Sequence, residues 1–310
     1  MSSPERMRGY LAIILAAVLF GMWPTLSKLV LDRVHPLVII FLIQLIPAIV
    51  LSPTLRHTRI ARSDWKFIAL AGIVGSVVGP IVYFYGLEHT TASNSVLLSN
   101  SESLFTMMFA YAFLAERATR REYLALGGIA VGAFLVTTQL RFGDVQFLQF
   151  FIPNLMLVAA AVCWGVSNTV STVLLRRIPI VPLLAVQLVL GAGVFAPIVA
   201  ASGAPFVVPL DILPILVFLS LSAVGMFSVL FFYAFRTIGA MRTGAVLPTS
   251  ALWGILLALY VFPKDTLSDV QILGGAIMVG ALVALYIFRG PAEAEGETLK
   301  PAASDGPDSP

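Results

Sequence analysis

The chain reads as ten apolar runs, each close to the length of a membrane-crossing helix, separated by short polar or charged breaks. They cover approximately residues 10–30, 36–53, 66–87, 92–114, 122–139, 153–175, 181–201, 213–235, 244–262 and 268–288. A hydrocarbon core of about 30 Å takes roughly 20 residues of helix, and every backbone polar group inside it must bond within its own segment. The expected fold class is therefore an all-α membrane protein of ten transmembrane helices. Composition agrees: 59% of residues are hydrophobic and 11% charged, against about a quarter charged in soluble domains. Arg6 and Arg8 before "YLAIILAAVLFG" imitate a signal peptide. With nine further runs and no small-residue cleavage site, this stretch is expected to be a first helix instead.

The basic residues lie in the breaks, so a net charge of +3 reports topology rather than a nucleic-acid surface. Of 19 Lys and Arg, 15 fall before run 1, between runs 2 and 3 (with Lys66 at the first residue of run 3), 4 and 5, 6 and 7, or 8 and 9, and after run 10. Lys28, Arg33, Arg141 and Lys264 make up the other side. Basic loops stay in the cytoplasm, which predicts both termini inside. A single cysteine, Cys163, excludes an intramolecular disulfide or a cysteine metal cluster. Neither a metal nor a cofactor is expected.

The chain also repeats itself. "FGMWPTLSK" from Phe20 resembles "WGVSNTVST" from Trp164, and "PLVIIFLIQ" from Pro36 resembles "PIVPLLAVQ" from Pro179. "YGLEHTTASNS" aligns Tyr85 with Tyr233 and Ser95 with Thr243 of "YAFRTIGAMRT"; "LGGIAVGAFLV" at 126 resembles "LGGAIMVGALV" at 273. Two halves of five helices enter the membrane from opposite sides because five is odd. The expected organisation is a cytoplasmic N-tail at 1–9, a first five-helix repeat at 10–141 and an external linker at 142–152. A second repeat follows at 153–289, then a Pro/Gly/acid-rich disordered tail at 290–310. Inverted repeats are the architecture of secondary transporters, with the substrate near the midplane at the repeat interface.

On these features, and on "ESLFTMMFAYAFLAER" from Glu102, the chain resembles the EamA branch of the drug/metabolite transporter superfamily over about residues 10–289. That family commonly ends its fourth or ninth helix with Pro, a dozen apolar residues and Gly-Glu. Here Ser103 and Ala115-Glu116 stand at those places in the first half, Ala251 and Lys264 in the second. The resemblance implies ATP-independent movement of small metabolites, with amino acids and their relatives recurring among substrates. It implies a bacterial or archaeal inner-membrane location and an integral permease, with export the favoured direction. Protons and a second copy of the chain are candidate partners beside the lipid and the substrate.

Helical spacing then gives the polar residues geometry. Ser95, Ser99, Glu102 and Thr106 are spaced 4, 3 and 4 and form one stripe on the fourth helix. Its repeat partner is Thr243, Leu247, Ser250 and Gly254, with Trp253 beside it. The sixth helix presents Trp164, Ser167, Asn168 and Ser171; the first presents Trp23 and Ser27, with Pro24 freeing a backbone carbonyl. These four faces are expected to converge on one polar, aromatic-lined substrate cavity. The competing reading is that such hydroxyls only bond their own backbone or join helix to helix, each worth well under about 2 kcal/mol. An unpaired carboxylate in hydrocarbon is too costly to persist. Glu102 is therefore expected to be paired or protonated, and is the candidate proton-coupling residue.

Other conspicuous residues favour plainer roles. Lys28 and Arg33 are expected to snorkel, and Gly75, Gly79, Gly128 and Gly132 to make packing faces. Tyr83, Tyr85 and Tyr233 fit either the cavity or the interfacial aromatic belt, and Gln44 and Gln187 match across the repeat. An intramembrane enzyme is disfavoured: His35, His57 and His89 lie in or beside loops, "GVSN" lacks an elbow glycine, and no P-loop occurs. A receptor or scaffold without flux remains the principal alternative to transport.

Overall fold

The computed structural model describes residues 3–113, 120–142, 147–175, 177–238, 246–264 and 266–288. Thr243, Ala115-Glu116 and the 290–310 tail lie outside the described residues. Those described form a helical bundle of thirteen α-helical stretches, two π turns and two 3₁₀ turns, which run together as ten helical segments. In chain order, α1 is Ser3–Leu31 and α2 is Pro36–Leu51. α3 comprises Trp65–Gly72, Ile73–Val78 and Gly79–Glu88. α4 comprises Ala92–Ser99 and Glu102–Phe113, α5 is Arg120–Thr138 and α6 is Phe147–Leu174. α7 is Ile180–Ser202, and α8 comprises Leu213–Ser220, Leu221–Met226 and Phe227–Ile238. α9 is Ser250–Val261, preceded by a 3₁₀ turn at Leu247–Thr249, and α10 is Asp269–Phe288.

The stretches 7–31, 36–56, 65–88, 151–174 and 180–202 are individually long and apolar enough to cross a membrane, and shorter apolar helices occupy 123–138, 250–261 and 269–284. Helix ends follow local chemistry. Pro36 opens α2, where a missing N–H costs nothing, and His35 Nδ1 accepts from Leu37 N–H at 3.3 Å. Thr91 Oγ1 accepts from Asn94 N–H at 3.1 Å to start α4. Gly203, at φ 67°, ends α7 in the left-handed conformation that glycine adopts without a side-chain penalty.

Two departures from the sequence reading matter for the site. α3 and α8 each contain a π turn, at Ile73–Val78 and Leu221–Met226, and these are repeat-equivalent at the offset that aligns Tyr85 with Tyr233. Pro80 follows the first turn, but Ser228 holds that place in the second, so proline alone does not cause the widening. The fourth run, expected to be one continuous helix, breaks at Asn100 and Ser101. Asn100 Nδ2 bonds back to Val96 O at 2.8 Å and the Ser101 hydroxyl to Leu98 O. Such side-chain competition for backbone groups interrupts a helix. The 3₁₀ turn at Leu247–Thr249 brackets the equivalent place on α9. α1 also starts at Ser3, well before the expected residue 10.

The repeats meet through glycines. A Cβ on Gly21 of α1 would strike Ser250 O and come within 2.9 Å of Gly254 N on α9. The counterpart on Gly165 of α6 would lie 2.9 Å from Thr106 N on α4. One hydroxyl secures each crossing: Thr25 bonds Gly254 O at 3.5 Å and its equivalent Thr169 bonds Thr106 O at 3.2 Å. α5 and α10 cross where a Cβ on Gly274 would lie 2.9 Å from Gly132 O. Small residues there permit close backbone approach, as expected for Gly128 and Gly132.

Candidate functional site

The described polar residues concentrate where α1, α3, α4 and α6 meet. At the centre is Tyr83 of α3, 1% exposed. Its ring lies between Trp23 of α1 (centroids 5.9 Å) and Trp164 of α6 (5.2 Å), with Phe84 at 5.3 Å. Offset and edge arrangements at these distances are the favoured ones for aromatic pairs. The Ser95 hydroxyl on α4 donates to the Tyr83 oxygen at 3.1 Å, and Ser27 and Ser99 also face the phenol. Yet Ser27 Oγ and Ser99 Oγ are buried with no hydrogen-bond partner among the described residues. A buried hydroxyl left unbonded costs about 1–3 kcal/mol, and the polar group each of these two faces is the Tyr83 phenol.

One turn along α4 and α6 lies a second layer. Asn168 Nδ2 donates to Glu102 Oε1 at 2.6 Å, and Thr106 Oγ1, one turn beyond Glu102, is again buried without a partner. Glu102 opens the second half of α4 directly after the break, where unbonded N–H groups and the helix dipole favour an acidic side chain. Asn168 is exposed and Glu102 half-buried, so this pair lies nearer the surface of the bundle than Tyr83, which is buried.

The π turn of α3 positions Trp164. The indole Nε1–H donates to Gly75 O at 3.1 Å, and Ser167 donates to Ala71 O at 3.0 Å. A widened turn leaves carbonyls free for such partners. A Cβ on Gly75 would collide with Ser167 and one on Gly79 would lie 2.9 Å from Trp164 Nε1. Both glycines are therefore needed for α6 to approach.

The predicted site residues divide into two groups. Trp23, Ser27, Ser95, Ser99 and Trp164 gather around Tyr83, with Glu102 and Asn168 one layer away. Ser167 instead fastens α6 to α3. Ser171 accepts from Gln187 Nε2 at 2.9 Å, and Ser250 bonds Asn100 Oδ1 at 3.3 Å, tying α9 to the break in α4. Trp253 is 41% exposed and is not part of the aromatic stack. Lys28, expected to snorkel, instead donates to Leu87 O at 2.8 Å and Glu88 O at 2.9 Å, closing the C-terminus of α3.

Comparison with known proteins decides the family. The model of the EamA-like transporter family matches twice, over residues 7–138 and 151–287. The chain belongs to the EamA-like transporter family. Relatives of this EamA protein include an uncharacterized transporter of Methanothermobacter thermautotrophicus, 28% identical over 299 residues, covering 91% of this chain and 87% of that one. Another is the uncharacterized transporter YyaM of Bacillus subtilis, 22% identical over 123 residues and 40% of each chain. A solved structure titled only "Crystal structure of protein" superposes with a TM-score of 0.62 at 19% identity, over 96% of this chain and 99% of that one, and shares the fold. As an EamA protein the chain is an integral membrane protein, with relatives in bacteria and archaea.

Sequence reasoning left Tyr83 undecided between cavity and belt. Its signal lay in spacing: Tyr83 is one turn from Gly79, the residue that admits Trp164. The π turns carried no readable signal beyond the glycines of "GIVGSVVGP".

Proposed function

We propose that this EamA protein is a secondary transporter that moves a small metabolite, an amino acid or related compound, by alternating access, with export as its direction. Ten spans and cytoplasmic termini belong to the same reading. It is supported best by the buried, unpartnered hydroxyls of Ser27, Ser99 and Thr106 around an aromatic stack and a carboxylate–amide pair. Apolar walls with a few convergent polar groups suit a ligand with an apolar body and a small polar head. Trp23, Tyr83 and Trp164 supply the walls; Ser27, Ser95, Ser99, Glu102 and Asn168 supply the polar groups. Ser167, Ser171 and Ser250 fasten helices around this centre, and Trp253, exposed, is not assigned a part in it. Glu102 carries the coupling, either by exchanging a proton or by holding a cationic amine.

The test is counterflow in proteoliposomes containing only this protein. Labelled amino acids and related amines would be exchanged against an unlabelled pool, after a thermal-shift screen has identified a binder. Ligand binding stabilises by RT ln(1 + [L]/Kd), so even weak binders register at millimolar concentration. Exchange of no bound compound would leave the receptor or scaffold reading in its place.

A further inference from the structure

Two ion pairs occur among the described residues, and they occupy nearly the same place in the two repeats. Arg33, just past α1, lies 3.5 Å from Asp211, just before α8; Arg177, just past α6, lies 3.5 Å from Asp64, just before α3. Arg33 and Arg177 are equivalent at the offset that aligns Phe20 with Trp164. Their backbones agree too: Arg33 N–H bonds Val30 O at 3.1 Å and Arg177 N–H bonds Leu174 O at 2.9 Å. Asp64 and Asp211 match to within one residue at the offset that aligns Tyr85 with Tyr233. Each arginine sits at a helix C-terminus and each aspartate at a helix N-terminus, the sign each helix dipole favours.

Each pair joins one repeat to the other, and the two lie at opposite ends of the bundle, because Arg33 and Asp64 flank α2 at its two ends. We propose that Arg33–Asp211 and Asp64–Arg177 are reciprocal clasps, each holding one membrane face of the repeat interface closed. Opening the interface at one face separates the loops that its own clasp ties, while the other clasp stays made. The clasps are unequal at their aspartates: Asp211 is 64% exposed but Asp64 only 7%, while Arg33 and Arg177 are 55% and 72% exposed. Solvent weakens both pairs at their arginines, but loss of Arg177 in addition leaves a buried carboxylate without its partner. The Arg177 face therefore holds more firmly.

The inference rests on the transport reading, and one assay separates the two. In a Cys163→Ala background, Ser99→Cys places a thiol beside the aromatic stack. A membrane-impermeant thiol reagent is applied to right-side-out and to inside-out vesicles. Arg33→Gln is expected to raise labelling from the Arg33 face by about two- to five-fold and lower it from the other. Arg177→Gln should do the reverse, by a larger factor. The exchanged pair Arg33→Asp with Asp211→Arg should move the ratio back toward the parental one, short of full restoration because both charges then oppose their helix dipoles. Salt provides a check without substitution at the clasps: near 1 M, where the screening length is about 3 Å, labelling from the Arg33 face should rise unless Arg33 is already Gln. Ratios unmoved by either substitution and by salt, or moved in the same direction by both substitutions, would overturn the clasps while leaving transport standing. A thiol at position 99 labelled from neither face would instead sink the transport reading itself.

Discussion

Asn168 on α6 holds Glu102 on α4 at 2.6 Å, a bond between the second repeat and the first at the only point where the described α4 is broken. Such a bond contributes about 0.5–1.5 kcal/mol net, and about 1.5–3 kcal/mol when the carboxyl is charged, so motion between α4 and α6 must either keep it or replace it. Glu102→Gln preserves shape and the acceptor oxygen but carries no charge. The variant is expected to fold normally and to lose pH-gradient-driven accumulation. Retained equilibrium exchange would identify proton coupling; lost binding would identify an amine contact. Gradient-driven uptake at the parental rate at every pH would remove Glu102 from the mechanism.

Asn168 and Ser167 are neighbours in sequence with different surroundings, and leucine separates them. Ser167 is buried against Ala71 O and Gly75 of α3, so Ser167→Leu overpacks a glycine contact at a typical cost of about 1–3 kcal/mol. Its expected mark is a lower melting temperature and poor yield. Asn168 is exposed and leucine meets no glycine contact there, so Asn168→Leu should lower melting only by what its bond to Glu102 contributes, while giving normal yield and abolishing transport. Thermal unfolding and counterflow on both variants read the difference. Normal transport by Asn168→Leu would show that the pair only fastens two helices.

The apolar runs made the helices legible because hydrocarbon tolerates no alternative backbone, and the repeat made the pairing of α1 with α6 legible. Helical period predicts Ser95, Ser99 and Glu102 on one face; Ser95 and Ser99 meet Tyr83 of α3, whereas Glu102, beyond the break at Asn100 and Ser101, meets Asn168 of α6. What period could not reveal is which partner a hydroxyl chooses. Ser27 and Ser171 are repeat-equivalent, as are Gln44 and Gln187, yet Gln187 bonds Ser171 while Ser27 Oγ and Gln44 Oε1 are buried without partners. The same residues in the same pattern are satisfied in one repeat and not in the other. That difference arises from how the repeats are packed together, which one-dimensional spacing does not contain.

Orientation follows from the basic residues and is read by labelling. Positions 59 and 121 lie in breaks on the basic side and 206 on the opposite side. Single cysteines there, in a Cys163→Ala background, are expected to react with an impermeant reagent in intact cells only at 206. External labelling of position 59 would reverse the bundle in the membrane. The clasps would keep their reciprocal action, with their faces exchanged.

Tyr83 is the residue on which the two views of the centre differ most. As packing, it is a buried ring held by Trp23, Phe84 and Trp164, and its hydroxyl matters only for the Ser95 bond. As a site residue, its hydroxyl is the polar point around which Ser27, Ser95 and Ser99 gather. Tyr83→Phe keeps the ring and the stack and removes one oxygen. Packing alone predicts a modest loss, about 1–3 kcal/mol for leaving Ser95 unbonded, seen as a fall of several degrees in melting temperature with ligand affinity unchanged. The site reading predicts the same fall together with about tenfold weaker binding, the equivalent of roughly 1.4 kcal/mol. Thermal-shift titration with whichever metabolite stabilises the parent protein measures both quantities on one sample. Parental affinity in Tyr83→Phe would return the aromatic stack to the hydrophobic core and move the search for the substrate outward to Glu102 and Asn168.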